Sequence, residues 1–316
     1  MWLPFIKVYL ATFCAGLVAF LGFILIVDPY DSGRFGVAWT SGVADEDPRT
    51  ADVSRGRDPR FDSAVIGNSH GQLLDPARLS AASGMHFVQL TVPGTGPREQ
   101  LTLLRWFARH HTSIAAIVLA ADSSWCTQDP SLPISNEFPF WLYADGDAEY
   151  VVNVLRTAAL DRGWRRILLG LGLRRPSDPA GYWDYESGHV WAFAPTVPDG
   201  ISPASKMREP RGSFPAIERL RTVVSGLARD VRFAVVFPPV FVTELPKAGS
   251  AEAELMAECK GAFAQFAAGR GAFLDFAVDG ERARDPRNFM DATHYRSGLA
   301  REMESRIAAK LAEPRH

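Results

Sequence analysis

Ser69, in Gly67-Asn68-Ser69-His70, and the pair Asp291 and His294, in Asn288-Phe289-Met290-Asp291-Ala292-Thr293-His294-Tyr295, are the residues whose types and spacing can do chemistry. Ser69 follows the apolar run Ala64-Val65-Ile66 and a glycine that permits a tight turn, so it stands at the end of a buried strand. A helix beginning after it would aim its backbone N–H groups and positive dipole end at a negative charge forming nearby. A serine so placed is positioned as a nucleophile, and it needs a base. On a turn entering a helix, Asp291 and His294 point their side chains to one side, and the carboxylate orients the imidazole. If His294 reaches Ser69, the three form a triad in chain order Ser, Asp, His. Taken singly, each has a plainer reading. A Gly-x-Ser also serves as a turn or a phosphate-binding element, Asp291 as a helix N-cap, and His294 as a hydrogen-bonded surface histidine. The combination is what points to a reaction.

The elements that must position these residues are short apolar runs alternating with helical patterns. The runs are DSAVIGNS, HFVQLTV, SIAAIVLAAD, VRFAVVFPPV and GAFLDFAV. Helices are expected at Pro76 to Ser83, over PREQLTLLRWFARHH, at Glu149 to Leu171, Ala216 to Arg229, Ala251 to Ala268 and Arg296 to Leu311. Such alternation predicts an α/β domain from Phe61 to the C-terminus, a flavodoxin-like three-layer α/β/α arrangement around a five-stranded parallel sheet. Ligands of such sheets bind beyond the carboxyl ends of the strands, which is where Ser69 falls. An insertion at about 123–214 is too long for a connecting loop and reads as a lid or binding element.

At the N-terminus the stretch Val8 to Val27 carries no charge and is long enough for a ~30 Å hydrocarbon layer. A cleaved signal peptide would have a shorter apolar region of ~7–15 residues, so a retained anchor over 1–27 is expected, embedded in the bilayer through residues 8–27. Lys7 precedes the span, and Asp28, Asp31 and Asp45-Glu46-Asp47 follow, which predicts a cytoplasmic N-terminus and an outward-facing remainder. Residues 28–60, polar and without apolar period, read as a juxtamembrane linker or a wrapped surface segment. The 34 Lys and Arg against 36 Asp and Glu leave no polybasic footprint, which argues against a nucleic-acid partner. Cys126 and Cys259 are candidates for a disulfide, for which the sequence supplies no geometry.

The two blocks around Ser69 and His294 resemble those of the SGNH (GDSL-like) hydrolase superfamily, and the chain is similar to its membrane-anchored bacterial members from Phe61 onward. Asp28-Pro29-Tyr30 after the anchor is also similar to such proteins. The resemblance implies Ser69 as nucleophile, His294 as base and Asp291 as its support. Val92-Pro93-Gly94 resembles the block whose glycine contributes an oxyanion-hole N–H, beside that of Ser69. The third block departs: where the family has Gly-x-Asn, this chain has Ala120-Ala121-Asp122, and an ionised carboxylate cannot donate to an oxyanion. Either Asp122 has another role, or the hole relies on Ser69 and Gly94 with help from Asn68 or Ser123.

Among anchored relatives the resemblance implies O-acyl chemistry, such as acetyl transfer or removal, on a glycan outside the bacterial inner membrane, in the periplasm. It implies no metal or organic cofactor, and many such proteins work beside a membrane-bound acyl-donor partner. Trp141, Tyr143, Tyr182, Trp183, Tyr185 and Trp191 of the insertion either stack on sugar rings or pack the insertion in place; Tyr182, Trp183 and Tyr185 read as the more exposed. His70 is expected to turn away from the site into a structural hydrogen bond, and His110-His111 to be a solvated helix end. Two other readings stay open. Asp122 and the aromatics also suit a non-catalytic glycan-binding or scaffold protein, and a metal-dependent phosphoesterase would need clustered ligands that the sequence does not assemble.

Overall fold

A computed structural model describes residues 2–35, 40–133, 137–188, 193, 213–268 and 270–313. In chain order its elements are α1 (Trp2–Val27), α2 (Pro48–Arg55), β1 (Ser63–Gly67), α3 (Pro76–Ser83), β2 (Phe87–Thr91), α4 (Pro97–His110), β3 (Ala116–Ala120), α5 (Ser124–Thr127), α6 (Phe140–Tyr143), α7 (Asp147–Val154), α8 (Thr157–Gly170), α9 (Pro215–Ser225), β4 (Arg232–Phe237), α10 (Ala251–Ala268), β5 (Gly271–Asp275), α11 (Glu281–Arg284) and α12 (Ser297–Ala312). They fall into two compact units, one of residues 1–57 and 139–179, the other of 58–138 and 180–316.

The second unit is an α/β domain with a five-stranded parallel sheet in the order β2-β1-β3-β4-β5. The chain winds outward from β1 in both directions, so the strand order reverses between β1 and β3, and the loops leaving these two strands part there. β1, β2 and β3 are buried throughout, which is why they read as continuous apolar runs rather than alternating ones. On one face Val65, Val118, Ala234 and Val236 pack with Leu79 of α3 and Met303 and Ile307 of α12. On the other, Phe233 and Phe237 meet Phe266 and Phe263 of α10 edge to face. Burying each such ring stabilises the domain by roughly 1.5–3 kcal/mol.

The first unit holds α1, which is long enough, and with a mean hydropathy of 2.6 over its most apolar 18 residues apolar enough, to cross a membrane. Residues 28–60 differ from the linker reading. They contain α2, capped by the Asp47 side chain on the N–H of Arg49, and they bury Asp28, Tyr30, Asp31 and Ser54. The physical reason is charge pairing: the Asp31 carboxylate accepts from Arg166 (2.7 Å), Ser54 (2.7 Å) and Arg57 (3.1 Å), a set drawn from distant sequence positions. The helix expected over Glu149 to Leu171 is broken into α7 and α8 at Leu155 and Arg156, after Val151-Val152-Asn153-Val154, whose residues are weak helix formers. The expected insertion is likewise divided, its residues 139–179 belonging to the first unit and 180 onward to the second.

Cys126 and Cys259 are joined in a disulfide that links α5 to α10 across a sequence separation of 133. Opening it with dithiothreitol is expected to lower the unfolding free energy by ~2–5 kcal/mol, because so long a loop strongly restricts the unfolded chain. Urea midpoints with and without reductant measure this, and equal midpoints would contradict it.

Candidate active site

The register of the sheet brings three loops to one edge. Gly67 lies opposite Thr91 on one side and Ala120 on the other, so Ser69, Gly94 and Asp122 all follow immediately on strand ends that are level with one another. The packing is tight at Gly67: a Cβ there would sit 3.0 Å from both the Cβ and the carbonyl oxygen of Ala120. After Ser69 the chain makes only a 3-10 turn, Ser69–Gly71, with the Asn68 side chain accepting from the N–H of His70 (3.0 Å). The helix expected at Pro76 to Ser83 forms as α3, separated from Ser69 by this turn. Pro76 disfavours helical backbone at Asp75, whose side chain instead caps α3. The intervening segment is pinned from β2 by Gln89, whose amide donates to the carbonyls of Gln72 (2.9 Å) and Leu74 (2.8 Å).

His294 arrives on the loop before α12. Phe289 and Tyr295 pair across that loop and are fully buried, and Met290 N–H donates to the His294 carbonyl (2.8 Å). The Tyr295 hydroxyl donates to the carbonyl of His70 (2.6 Å), tying the histidine loop to the serine turn across the whole domain sequence. His294 Nε2 lies 3.0 Å from Ser69 Oγ, and its Nδ1 lies 2.8 Å from Asp291 Oδ2. Asp291 Oδ1 also accepts from the N–H groups of Thr293 and His294, each at 2.8 Å. Burial would raise the Asp291 carboxyl, but the Thr293 N–H and the His294 ring outweigh it and hold the group below the usual carboxylate range. A hydroxyl, an imidazole and a carboxylate linked in this order can pass a proton from Ser69 to His294 while the positive ring is stabilised.

The remaining candidates are placed as follows. Gly94 is exposed, with left-handed backbone (φ 69°), and no hydrogen bond among the described residues takes its N–H or that of Ser69. The Asn68 amide, one of the two candidates to help the oxyanion, donates to Asp122 and to the Thr95 carbonyl (3.3 Å) in this structure. Asp122 accepts besides from the Ser124 N–H (2.8 Å) and faces His70 Nδ1 at 3.3 Å. Burial pushes this carboxyl up, yet the hydrogen bonds and charge of His70, with Ser124 and Asn68, win and bring it down to about 2. His70 thus does not turn away. It joins Asp122, Ser123 and Thr293 in lining a cavity of about 130 Å3, and its ring centroid is 5.5 Å from that of His294.

Of the aromatics, Trp141 and Tyr143 are buried in the first unit, where Trp141 packs on Tyr30 and the Tyr143 hydroxyl donates to the Arg49 carbonyl. Packing is their role there. Tyr185 stands edge-on to the His294 ring at 5.8 Å, and its enclosed hydroxyl has no hydrogen-bond partner among the described residues. Trp183 is exposed beside it, and the Arg78 guanidinium lies 5.8 Å from the Tyr182 ring. Trp191 lies outside the described residues. This stretch is held by the Ala180 carbonyl, which accepts from Gln89 N–H on the outer edge of β2, and by Glu186, which accepts from Ser297 N–H at the start of α12.

Sequence reasoning missed Tyr295, Gln89 and the Asp122–His70 pair. A buried glutamine in an otherwise apolar strand was the one visible signal. Among the described residues no group of three or more His, Cys, Asp or Glu side chains is arranged to hold a metal ion. No protein-family model matches the chain, and no match is found among curated proteins.

Proposed function

We propose that the chain is a membrane-anchored serine esterase or O-acyltransferase of the SGNH type, acting on O-acyl groups, chiefly acetyl, of an envelope or extracellular glycan. The observation that carries this reading is the unbroken line Ser69 Oγ, His294 Nε2, His294 Nδ1, Asp291 Oδ2, with steps of 3.0 and 2.8 Å. In the first half-reaction Ser69 Oγ attacks the acyl carbonyl and its proton passes to His294 Nε2, while Asp291 stabilises the imidazolium. The unspent N–H groups of Ser69 and Gly94 hold the oxyanion. Collapse releases the donor alcohol, which takes the proton from His294, and leaves the acyl group on Ser69. Water or a sugar hydroxyl then gives its proton to His294 and attacks the ester carbonyl; collapse breaks the bond to Ser69 Oγ, which takes that proton back from His294 as the acyl group leaves on water or the sugar.

Tyr185 beside His294 and the exposed Trp183 suit a sugar ring at the mouth of the site. The asymmetry of Lys7 before α1 and acidic residues after it supports a periplasmic domain on a single-pass anchor, as does the Cys126–Cys259 disulfide. A membrane-bound partner is a fitting source of acyl groups. The test is to incubate the full chain with p-nitrophenyl acetate and map the acetyl group by mass spectrometry. An adduct on Ser69 that is absent from Ser69→Ala is expected. No adduct on folded protein would select the non-catalytic glycan-binding or scaffold reading instead.

A further inference from the structure

α8 leaves a face uncovered beside the end of α1. Its inner edge, Ala159, Gly163 and Arg166, is buried, and a Cβ on Gly163 would lie 2.6 Å from the Phe23 ring of α1. Arg166 donates to the Val27 and Asp28 carbonyls, each at 2.6 Å, which caps the C-terminal end of α1 and fixes α8 against its last turns. Leu160 and Trp164 share another face of α8, which Leu171 at its C-cap continues, and the three are 43%, 58% and 64% exposed. Beside them run the Asp161–Arg165 ion pair (2.8 Å) and, past the helix end, the exposed Arg174 and Arg175.

The level at which α8 sits decides what covers this face. α1 carries no charge from Val8 to Val27, and Ile26, in its last turn, is still 59% exposed. If the apolar length of α1 is immersed, Phe23 and Ile26 lie in or just under the lipid boundary, and whatever packs on Phe23 lies there too. We infer that α8 is an interfacial helix, with Leu160, Trp164 and Leu171 seated in the same bilayer that α1 spans and Arg174 and Arg175 among its phosphates. A tryptophan at the centre of such a stripe and arginines at its border are what the lipid boundary favours. The inference rests on the reading that α1 is a membrane span. Its consequence is that the first unit is held at a set depth by two helices rather than tethered by one.

The test uses the full chain with Cys14→Ser, in vesicles of phosphatidylethanolamine and phosphatidylglycerol. Single cysteines at Leu10, Leu160, Trp164, Leu171 and Glu252 carry a nitroxide, and relaxation by oxygen is compared with relaxation by a water-soluble nickel chelate. Leu10, on α1, reports the span itself, and the exposed Glu252 is the aqueous reference. Expected is an accessibility to the chelate at Leu160, Trp164 and Leu171 several-fold below that at Glu252, with oxygen access retained. Chelate access equal to that at Glu252, with Leu10 protected, would overturn the interfacial helix and leave the anchor standing. An accessible Leu10 would remove the anchor reading and the inference with it. Exclusion of both reagents with dipolar broadening would mean that a second copy covers the face, which also overturns it. In the unlabelled chain, quenching of fluorescence by brominated lipid should fall on Trp164→Phe, and an unchanged quenching would count against the seat.

Discussion

Replacing His294 with alanine is expected to slow acylation of Ser69 by about 10⁴-fold or more, with the fold intact. The ring is the group within reach of the serine proton at 3.0 Å, and without it the hydroxyl must attack with its proton in place. Asp291→Asn is expected to cost nearly as much, because an amide beside Nδ1 favours the tautomer that leaves Nε2 protonated and unable to accept. Because the three act as one unit, the double variant Ser69→Ala/His294→Ala should be no slower than either single one. The measurement is the rate of p-nitrophenol release from the acetyl ester. A loss under tenfold at His294, or multiplying losses in the double variant, would remove the proposed triad.

Asp122→Asn is expected to destabilise the domain by about 2 kcal/mol at neutral pH. The carboxyl falls from its ordinary value to about 2 on folding, and each tenfold drop in proton affinity corresponds to about 1.4 kcal/mol. The sign follows from the depressed value. The unfolded chain binds this proton more readily than the folded one, so the contribution is complete above pH ~4 and is lost as pH falls through about 2. The difference in unfolding free energy between wild type and Asp122→Asn, read from urea titrations, should therefore shrink across that window. A difference that stays constant from pH 7 to pH 2 would refute the assignment. Asp122 stands outside the Ser69–His294–Asp291 line, so acylation should fall by less than about tenfold. A loss as deep as that of His294→Ala would instead put His70 and Asp122 inside the machinery, since His70 lines the same cavity.

The local features of the chain are those its sequence determined. Apolar runs of five or six residues bounded by turn residues became β1 to β5, and the uncharged N-terminal stretch became α1. Asp75, before a proline, became a cap, as helix-start chemistry requires. Ser69, Asp291 and His294 were recognisable as candidates because turn geometry and a three-residue spacing are written in neighbouring residues. What only the tertiary structure decided is whatever depends on strand order and register. Ser69 and His294 are 225 residues apart, and their meeting follows from β1 lying inside the sheet, between β2 and β3, while Tyr295 reaches back to the His70 carbonyl. The commitment of Asn68 and His70 to Asp122 depends on β1 and β3 ending level, which no local pattern encodes. Asp31 meeting Arg166, Cys126 meeting Cys259 and the division of the insertion between two units are of the same kind. Periodicity and capping act over one or two turns of chain, whereas these contacts are selected by the packing of whole elements, where burying one charge or one ring depends on what every other element has covered.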